Sequence, residues 1–222
     1  MCNEGSKKNK IGVLDLQGGV CEHLDHLERL GIDCRKVKEP LDFEGIAGLI
    51  IPGGESTCLS RLIRIFNLEN CILDAFQRGM KIWGTCAGAI LLATRIVGEE
   101  PHLGLIDMDI ERNCFGSQLD SFSIEAAVPA VSPGPVPLTF IRAPKIHRIG
   151  SNVRILLQFH DYIAAAENDQ VLVTVFHPEL TPCLAFHKYF ALKCGLQESD
   201  DLLSDTESPW NSRSWTRLVR LV

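Results

Sequence analysis

A cysteine stands between two glycines in the segment Gly84-Thr85-Cys86-Ala87-Gly88, after an apolar run and before a helical pattern. This spacing is typical of a nucleophile on a tight strand-to-helix turn, where small neighbours are needed because the backbone is strained. The start of the helix carries a partial positive charge, which favours the reactive thiolate. The alternative is a small buried core residue, and a partner side chain must decide between the two.

A histidine and a glutamate supply candidate partners in the segment "VLVTVFHPEL". Its β-branched run predicts a strand that ends at His177. Residues i and i+2 of an extended chain point the same way, so we expect Glu179 to share a face with His177 and to orient its imidazole. Thiol, imidazole and carboxylate together have the composition of a catalytic triad. We interpret the remaining histidines as structural: His23, His26, His102, His147, His160 and His187.

Attack on a carbonyl also creates an oxyanion, which needs preorganised hydrogen-bond donors. The loop Pro52-Gly53-Gly54-Glu55-Ser56 follows another apolar run and offers unhindered backbone N–H groups, although by itself it reads as an ordinary turn. We expect the backbone N–H groups of Gly54 and Ala87 to form the oxyanion hole.

The elements that must position these residues alternate along the chain. Apolar runs predict buried strands in "KIGVLDLQG", "IDCRKVK", "IAGLIIPGG" and "KIWG". Helical spacing is found in "VCEHLDHLERLG", "STCLSRLIRIF", "ILDAFQRGM" and "AILLATRIV". This alternation predicts an α/β fold with a mainly parallel open sheet flanked by helices on both faces. Cys86 and His177 would lie at carboxyl ends of strands, the edge where such sheets carry their sites.

Two regions depart from this alternation. From about residue 103 to 136 the sequence is β-rich with a proline-rich loop, so we expect antiparallel or edge strands there. Beyond residue 196 the chain becomes acidic and serine-rich and then basic and apolar. We predict a polar extension over residues 1–9, one domain over residues 10–196 and a disordered tail over residues 197–222.

Composition excludes several classes of protein. The formal net charge of −6 leaves no global basic surface for nucleic acid. The sequence has no apolar stretch of about 20 residues to span a membrane, and its polar start has no leader pattern, so we expect a cytoplasmic protein. Nine cysteines without C-x-x-C spacing fit neither a disulfide framework nor a zinc site. We expect no metal and no cofactor.

Several motifs resemble a known family. Together, "PGGES", "GTCAGA" and "FHPEL" resemble the class I, triad-type glutamine amidotransferases, which hydrolyse the side-chain amide of glutamine through a cysteinyl thioester. "IGVLDLQGGVCEHL", "ERNCFGSQLDSF" and "IRAPKI" are similar to the glutaminase subunits of pyridoxal 5'-phosphate synthases, which feed ammonia to a separate synthase subunit. The resemblance covers roughly residues 10 to 196. Asp15 and Cys58 depart from the pattern, and the tail has no counterpart in it.

The resemblance implies roles for individual residues. Cys86 would be the nucleophile, His177 the general base and acid, and Glu179 the orienting carboxylate. The implied glutamine pocket consists of Gly54, Glu55, Ser56, Arg112, Ile141 and Arg142. Free glutamine carries a carboxylate and an ammonium group, to which the two arginines and the glutamate are complementary in charge. The implied partners are L-glutamine and a pyridoxal 5'-phosphate synthase subunit, which would make the vitamin B6 cofactor.

Three alternatives remain at this stage. The chain could be a glutaminase that serves another synthase, a cysteine peptidase on a similar sheet, or a catalytically silent scaffold subunit. A peptidase needs an open cleft, whereas Glu55 and the arginine pair indicate closure around a free amino acid. A silent scaffold is expected to have lost one of Cys86, His177 and Glu179.

Overall fold

The computed structural model describes residues 9–112, 121–159 and 161–197. The first half of the chain contains β1 (Lys10–Leu14), α1 (Val20–Arg29), β2 (Cys34–Val37), β3 (Ile46–Ile51), α2 (Ser56–Ile65), α3 (Glu69–Gln77), β4 (Lys81–Thr85), α4 (Ala87–Leu92), β5 (Ala93–Ile96) and β6 (Ile106–Glu111). The second half contains β7 (Phe122–Ala127), β8 (Pro135–Phe140), β9 (Lys145–Ile149), β10 (Arg154–Phe159), β11 (Tyr162–Glu167), β12 (Val171–Thr174) and α5 (Ala185–Lys193). Two short 3₁₀ helices span Pro40–Phe43 and Pro178–Leu180. Almost all of the predicted extension and tail lies outside the described residues.

The parallel part of the sheet positions the site. Its strands lie in the order β2-β1-β3-β4-β12, and every neighbouring pair is parallel. All residues of β3 and β12 are buried. Continuous burial is expected when helices cover both faces of a parallel sheet. The predicted α/β fold class is therefore confirmed.

The helices cover opposite faces of this sheet. A Cβ added to Gly48 of β3 would overlap Cys194 and lie 2.9 Å from Cζ of Phe190, so α5 packs on that face. Gly84 of β4 pairs with Ile51, three residues along β3 from Gly48, and it therefore faces the other side. There a Cβ at Gly84 would lie 2.6 Å from the backbone of Gly88, in α4. Helices α1 and α5 contact one another, as do α2 and α4.

Antiparallel pairing extends the sheet beyond β12 as far as β6, and the last strand, β5, is parallel to β6. The order continues through β11, β9, β6 and β5, and β10 pairs with β11. Strands β7 and β8 form a separate antiparallel hairpin, in which the Phe122 and Phe140 rings stack with centroids 4.7 Å apart. The β-rich segment predicted for the middle of the chain is present, but strands continue well past residue 136, through β9 to β12. No helix of the described residues is long and apolar enough to cross a membrane.

One predicted helix is wrong in its second half. We expected "AILLATRIV" to be helical throughout, but α4 ends at Leu92 and the chain continues as β5. Thr94 and Ile96 are β-branched, and Thr94 Oγ1 accepts a hydrogen bond from the backbone N–H of Met108 in the neighbouring strand at 3.3 Å. A continuous apolar run has no distinguishing period, so pattern alone cannot separate a buried helix from a buried strand.

The close approach of α5 to β3 gives a stability prediction. Gly48→Ala forces a methyl group against Cys194 and Phe190, so we expect it to lower the free energy of unfolding by about 1–3 kcal/mol, the usual cost of overpacking. Urea denaturation measures this change. Gly134→Ala is the matched control, because a Cβ there meets no atom within 4 Å. Equal stability of the two variants would contradict the packing described here.

Candidate active site

Three neighbouring strands deliver the predicted catalytic segments to one edge of the sheet. Strand β3 leads into Pro52-Gly53-Gly54, β4 into Cys86 and β12, two residues further, into His177. Because β3, β4 and β12 are adjacent and parallel, their carboxyl ends meet at the same edge. This is the edge where open α/β sheets carry their sites.

Cys86 occupies a strained turn between β4 and α4. Its φ of 48° and ψ of −104° lie in a region that L-residues rarely adopt. Its backbone N–H donates to the carbonyl of Thr174 at 2.8 Å, which ties the turn to β12. A Cβ at Gly88 would overlap the carbonyl of Ile51, and a Cβ at Gly84 would press on Gly88. The two glycines are therefore required by the close packing of this turn on β3.

His177 and Glu179 lie close together, but not for the reason predicted. Nδ1 of His177 is 2.8 Å from Oε1 of Glu179. Glu179 is not on an extended strand, because Pro178 begins a 3₁₀ turn immediately after His177. The turn folds the glutamate back toward the imidazole, whereas a continued strand would only have placed it on the same face. The two side chains are therefore in contact, as the sequence predicted. The reason given for this, that residues i and i+2 of an extended strand share a face, is wrong.

Charges around His177 hold it in the protonated form. Burial by itself would lower the pKa of His177, but the Glu179 carboxylate and a Cys86 thiolate raise it well above its ordinary value. Burial would raise the pKa of Glu179, and the neighbouring imidazoles of His23 and His177 outweigh that effect and keep it low. Cys86 and His177 line the same cavity, and Sγ of Cys86 donates to the carbonyl of Ile141 at 3.9 Å. This arrangement is an acid–base pair with an ionised carboxylate behind it.

The loop after β3 closes tightly over this group. A Cβ at Gly53 would overlap the His177 ring and lie 3.2 Å from Cβ of Cys86, so only glycine fits there. The N–H of Gly53 donates to Oγ1 of Thr85 at 2.9 Å. The carbonyl of Gly53 lies against Gly18, whose φ of 93° also favours glycine.

The predicted oxyanion donors border the same space. The backbone N–H groups of Gly54 and Ala87 make no hydrogen bond to another described residue. Because a trans peptide directs its C=O and N–H to opposite sides, the position of the Gly53 carbonyl turns the N–H of Gly54 away from Gly18. Both residues line the cavity that contains Cys86.

That cavity has a volume of about 170 Å³. It is lined by Cys86 and His177, by Ala87 and Ile90, and by all the residues of the predicted glutamine pocket: Gly54, Glu55, Ser56, Arg112, Ile141 and Arg142. Pockets for drug-sized ligands occupy about 300–1,000 Å³, so this one is sized for a small metabolite. Glu179 lies behind His177 and does not line it.

The charged side chains of the pocket are already partly paired. Nη1 of Arg112 donates to both carboxylate oxygens of Glu99, at 2.7 and 2.9 Å, and to Oγ1 of Thr57 at 3.0 Å. Its Nη2 donates to Oε1 of Glu55 at 3.0 Å. Arg142 makes no ion pair or side-chain hydrogen bond to another residue of the described ranges. Sequence reasoning missed Glu99, because no motif contains it.

Glu55 has a structural role that the sequence did not reveal. Its carboxylate accepts hydrogen bonds from the backbone N–H groups of Thr57 and Cys58, at 3.1 and 2.7 Å, and so caps α2. Partial burial opposes the charged form, but these hydrogen bonds and Arg112 lower the pKa of Glu55. The pocket therefore carries a fixed negative charge beside Arg112.

A larger cavity of about 600 Å³ lies elsewhere on the chain. Its lining includes Glu167, which accepts hydrogen bonds from Tyr189 at 2.6 Å, from Lys193 at 2.9 Å and from Arg154. These donors compensate the buried carboxylate and link β10, β11 and α5. The cavity contains no part of the triad, and its polar groups stabilise the fold.

A histidine cluster lies behind the triad, formed by His23 and His26 of α1 and His187 of α5. All three side chains are buried. Burial is the main cause that lowers the pKa of His23 and His26 to about 4, and it lowers the pKa of His187 well below its ordinary value. The sequence interpretation treated each as a lone structural histidine. The spacing of His23 and His26, one helical turn apart on the apolar side of α1, was the available signal.

The sequence is similar to a known protein family and to individual proteins. The sequence model of the SNO glutamine amidotransferase family matches residues 13–196. A pyridoxal 5'-phosphate synthase subunit PdxT of Syntrophus aciditrophicus is 78% identical over 217 residues, which is 97% of this chain and 97% of that protein. PdxT of Clostridium botulinum is 46% identical over 183 residues, 82% of this chain and 95% of that protein. The first alignment therefore reaches into residues 197–222.

Solved structures show the same fold. A crystal structure described as a glutamine amidotransferase is 40% identical, with a TM-score of 0.78, and the match covers 84% of this chain and 99% of that one. A glutamine amidotransferase from Thermotoga maritima has a TM-score of 0.55 at 10% identity, and the match covers 83% of this chain and 81% of that one. At that identity the likeness concerns the fold alone.

The histidine cluster gives a pH prediction. The unfolded chain binds protons on His23, His26 and His187 below about pH 6.5. The folded protein resists protonation of His23 and His26 to about pH 4, and burial also lowers the pKa of His187 well below its ordinary value. Stability should therefore fall as the pH drops through this window, by about 1.4 kcal/mol per pH unit for each histidine. Half-buried His102, whose pKa burial also lowers, adds in the same direction. Below pH 6.5, His177 is protonated in both the folded and the unfolded chain, so it does not change the stability in this window. The stability that its raised pKa contributes is lost only as the pH rises above 6.5.

Urea denaturation between pH 7 and pH 5 measures this slope. His187→Phe, which keeps an aromatic ring beside Trp83, should reduce the slope by the share of one proton. Gly134→Ala, which removes no titrating group and whose Cβ meets no atom within 4 Å, serves as the control and should leave the slope unchanged. A stability that does not change from pH 7 to pH 5 would show that the cluster is not held neutral.

Proposed function

The chain belongs to the SNO glutamine amidotransferase family, and on this premise we propose that it hydrolyses L-glutamine and delivers the ammonia to a pyridoxal 5'-phosphate synthase subunit. One observation carries the proposal. Cys86, His177 and Glu179 meet at one strand edge, beside a cavity lined by every residue of the predicted glutamine pocket. A silent scaffold has no need for this arrangement.

In the proposed reaction the Cys86 thiolate attacks the side-chain amide carbon of glutamine. The carbonyl oxygen becomes an oxyanion, which accepts hydrogen bonds from the backbone N–H groups of Gly54 and Ala87. Protonated His177 then gives its proton to the leaving nitrogen, and ammonia departs from a thioester on Cys86. The raised pKa of His177 suits this acid step, since the proton is already in place.

The second half of the reaction reverses these roles. Neutral His177 takes a proton from water, and the resulting hydroxide attacks the thioester carbon. Collapse of this second tetrahedral intermediate breaks the C–S bond, which releases glutamate and restores the thiolate. Glu179 keeps the His177 ring in the tautomer whose Nδ1–H points at the carboxylate, so Nε2 faces the chemistry.

Recognition of glutamine divides between two arginines. Arg112 is held by Glu55 and Glu99, so its charge is largely compensated before any substrate carboxylate arrives. Arg142 is exposed and is placed by a φ of 45° in the Ile141-Arg142 turn. We assign the main contact with the α-carboxylate to Arg142, while Glu55 faces the α-ammonium group from the side of Arg112.

The acceptor follows from the relatives and from the chemistry of ammonia. The PdxT proteins at 78% and 46% identity are by their names subunits of pyridoxal 5'-phosphate synthase. Ammonia is largely protonated at neutral pH and diffuses away, so a nitrogen-delivering glutaminase works only when it is docked on its acceptor. A location in the cytoplasm is part of this proposal, and it agrees with the free thiols of all described cysteines.

The proposed triad can be tested by substitution. Cys86→Ala should abolish glutamine hydrolysis without unfolding the chain, because no thioester forms, and Cys71→Ala is the thiol control. His177→Asn should be nearly inactive as well. Glu179→Gln should lower kcat less than His177→Asn, by up to about 10⁴-fold, because an amide still holds the imidazole. Ammonia release measures all four, and a Cys86→Ala protein that still hydrolyses glutamine would end the mechanism.

A further prediction concerns the coupling of glutamine hydrolysis to docking on the acceptor enzyme. The Gly53-Gly54 peptide lacks side chains, so it can flip between directing its N–H and directing its carbonyl toward Cys86. The structure shows the orientation in which the Gly53 carbonyl lies against Gly18 and the N–H of Gly54 is turned away from it, and we expect docking to hold the peptide in this state. If about 1% of isolated chains adopt that state, docking can raise glutaminase activity roughly 100-fold, a bias of about 2.7 kcal/mol. Ammonia release with and without the synthase subunit measures the activation.

The same mixture tests the acceptor. With glutamine, a pentose phosphate and a triose phosphate, the complex should produce pyridoxal 5'-phosphate, followed by its absorbance, and Cys86→Ala should prevent this. Ammonium salts should restore synthesis in the variant complex. Full glutaminase activity without the synthase subunit would contradict the coupling. Synthesis from ammonium salts but never from glutamine would show that this chain serves another acceptor.

A further inference from the structure

The Glu179 carboxylate has a second oxygen that the proposed mechanism does not use. Oε1 accepts from His177, but Oε2 is buried and has no hydrogen-bond partner among the described residues. Nε2 of His23 lies 3.6 Å from Oε2, and it too is buried and has no hydrogen-bond partner among the described residues. Two orphan polar atoms that face each other in the core are costly unless they interact.

The remainder of the histidine cluster settles which way the His23 ring is protonated. Nδ1 of His23 lies 2.8 Å from Nε2 of His187, and Nδ1 of His187 lies 3.0 Å from Nδ1 of His26. In neutral rings each of these two contacts needs one donor and one acceptor, so the protons must all point the same way along the chain of rings. Only two arrangements are possible.

The carboxylate selects between the two. In one arrangement His23 carries its proton on Nδ1 and presents a lone pair to Oε2 of Glu179, which is repulsive. In the other it accepts from His187 at Nδ1 and presents Nε2–H to the carboxylate, which is attractive. The Thr181 backbone, which raises the pKa of His26, favours the first arrangement at the far end of the cluster. The full negative charge at Glu179 outweighs that neutral acceptor and imposes the second arrangement on the whole cluster.

We infer that His23 is a positioning residue for glutamine hydrolysis: its Nε2–H is directed at Oε2 of Glu179 and holds the carboxylate in the orientation in which Oε1 accepts from His177. This inference rests on the proposed function. The separation of 3.6 Å is longer than an ordinary hydrogen bond, so the inference requires a small rotation of the carboxylate toward His23. His23 thus acts through Glu179 and His177, and does not touch the substrate.

The surroundings make His23 a rigid support. Its side chain has no exposure to solvent, and its ring packs edge-on against Trp83 with centroids 5.5 Å apart. Helix α1 contacts the Pro178–Leu180 turn that carries Glu179, and the backbone of Gly19 lies against the Glu179 side chain. A misplaced carboxylate would turn the His177 ring away from Cys86, and catalysis is sensitive to such small displacements.

The test compares two substitutions that differ by one polar group. Met and Gln have similar length and volume, but only the Gln side chain has an N–H that can reach Oε2 of Glu179. His23→Met should lower kcat about 10- to 100-fold, by analogy with the loss of a hydrogen bond that orients a metal-ligating side chain, with KM within twofold of wild type. His23→Gln should restore kcat to within about threefold. Thermal unfolding of both variants checks that they fold alike.

The outcomes separate this inference from the proposed function. An inactive wild-type complex would refute the glutaminase proposal itself. If the wild type is active and His23→Met is equally active, or if Met and Gln variants are equally impaired, then His23 has only a packing role. An increase in KM at unchanged kcat would also overturn the inference, because His23 is not in the pocket.

A measurement on the unaltered protein covers the case in which both variants fail to fold. Long-range proton–nitrogen NMR distinguishes the two neutral tautomers of a histidine ring. At pH 7, where burial lowers the pKa of His23 to about 4 and keeps it neutral, the spectrum should show His23 protonated at Nε2. A ring protonated at Nδ1 would refute the inference, whatever the variants do.

Discussion

The ionised carboxylate of Glu179, almost completely removed from water, is the interaction on which the rest of the site depends. A buried charge costs several kcal/mol unless neighbouring groups compensate it. Compensation comes from His177 after β12 and from His23 on α1, two elements far apart in the chain. The same charge raises the pKa of His177, and through His23 it fixes the tautomers of the histidine cluster. Catalytic chemistry and core packing therefore share one electrostatic centre.

Close backbone contact is the second requirement, and glycine meets it. Gly84 and Gly88 allow the Cys86 turn to lie on β3, and Gly53 fits between the His177 ring and Cys86. Gly18 allows the Gly53 carbonyl to lie beside it. Side chains at these positions would separate three strand ends that must meet within a few ångströms. The strain at Cys86, with its positive φ, is sustained by this surrounding contact.

The pocket shows how one set of charges can serve folding and recognition. Glu55 caps α2 and pairs with Arg112, which also binds Glu99 and Thr57. These contacts preorganise the wall of the cavity before substrate binds. Under the proposed function, a substrate carboxylate would gain less from Arg112 than the sequence suggested, because two acids already compensate that guanidinium.

Much of the fold and of the candidate site followed from the sequence, because local patterns encode them. Apolar runs and turn glycines predicted the parallel strands, and the residues around Cys86, His177 and Gly54 stood at strand ends where a sheet must bring them together. The end of α4 at Leu92 could not be predicted, since an apolar run has no period that separates helix from strand. Nor could the 3₁₀ turn at Glu179, where the local conformation differs from the strand that the pattern suggested.

By itself, then, the sequence determined the chemical groups, their order and the class of fold that carries them. Only the tertiary structure decided which groups face each other across the core. His23 and His187 are 164 residues apart, and Arg112 and Glu99 belong to different segments with no shared motif. Such contacts depend on the packing of α1 on α5 and of loops across the sheet edge. A residue's own neighbours in sequence carry no record of that packing, which is why His23 looked like any other buried histidine.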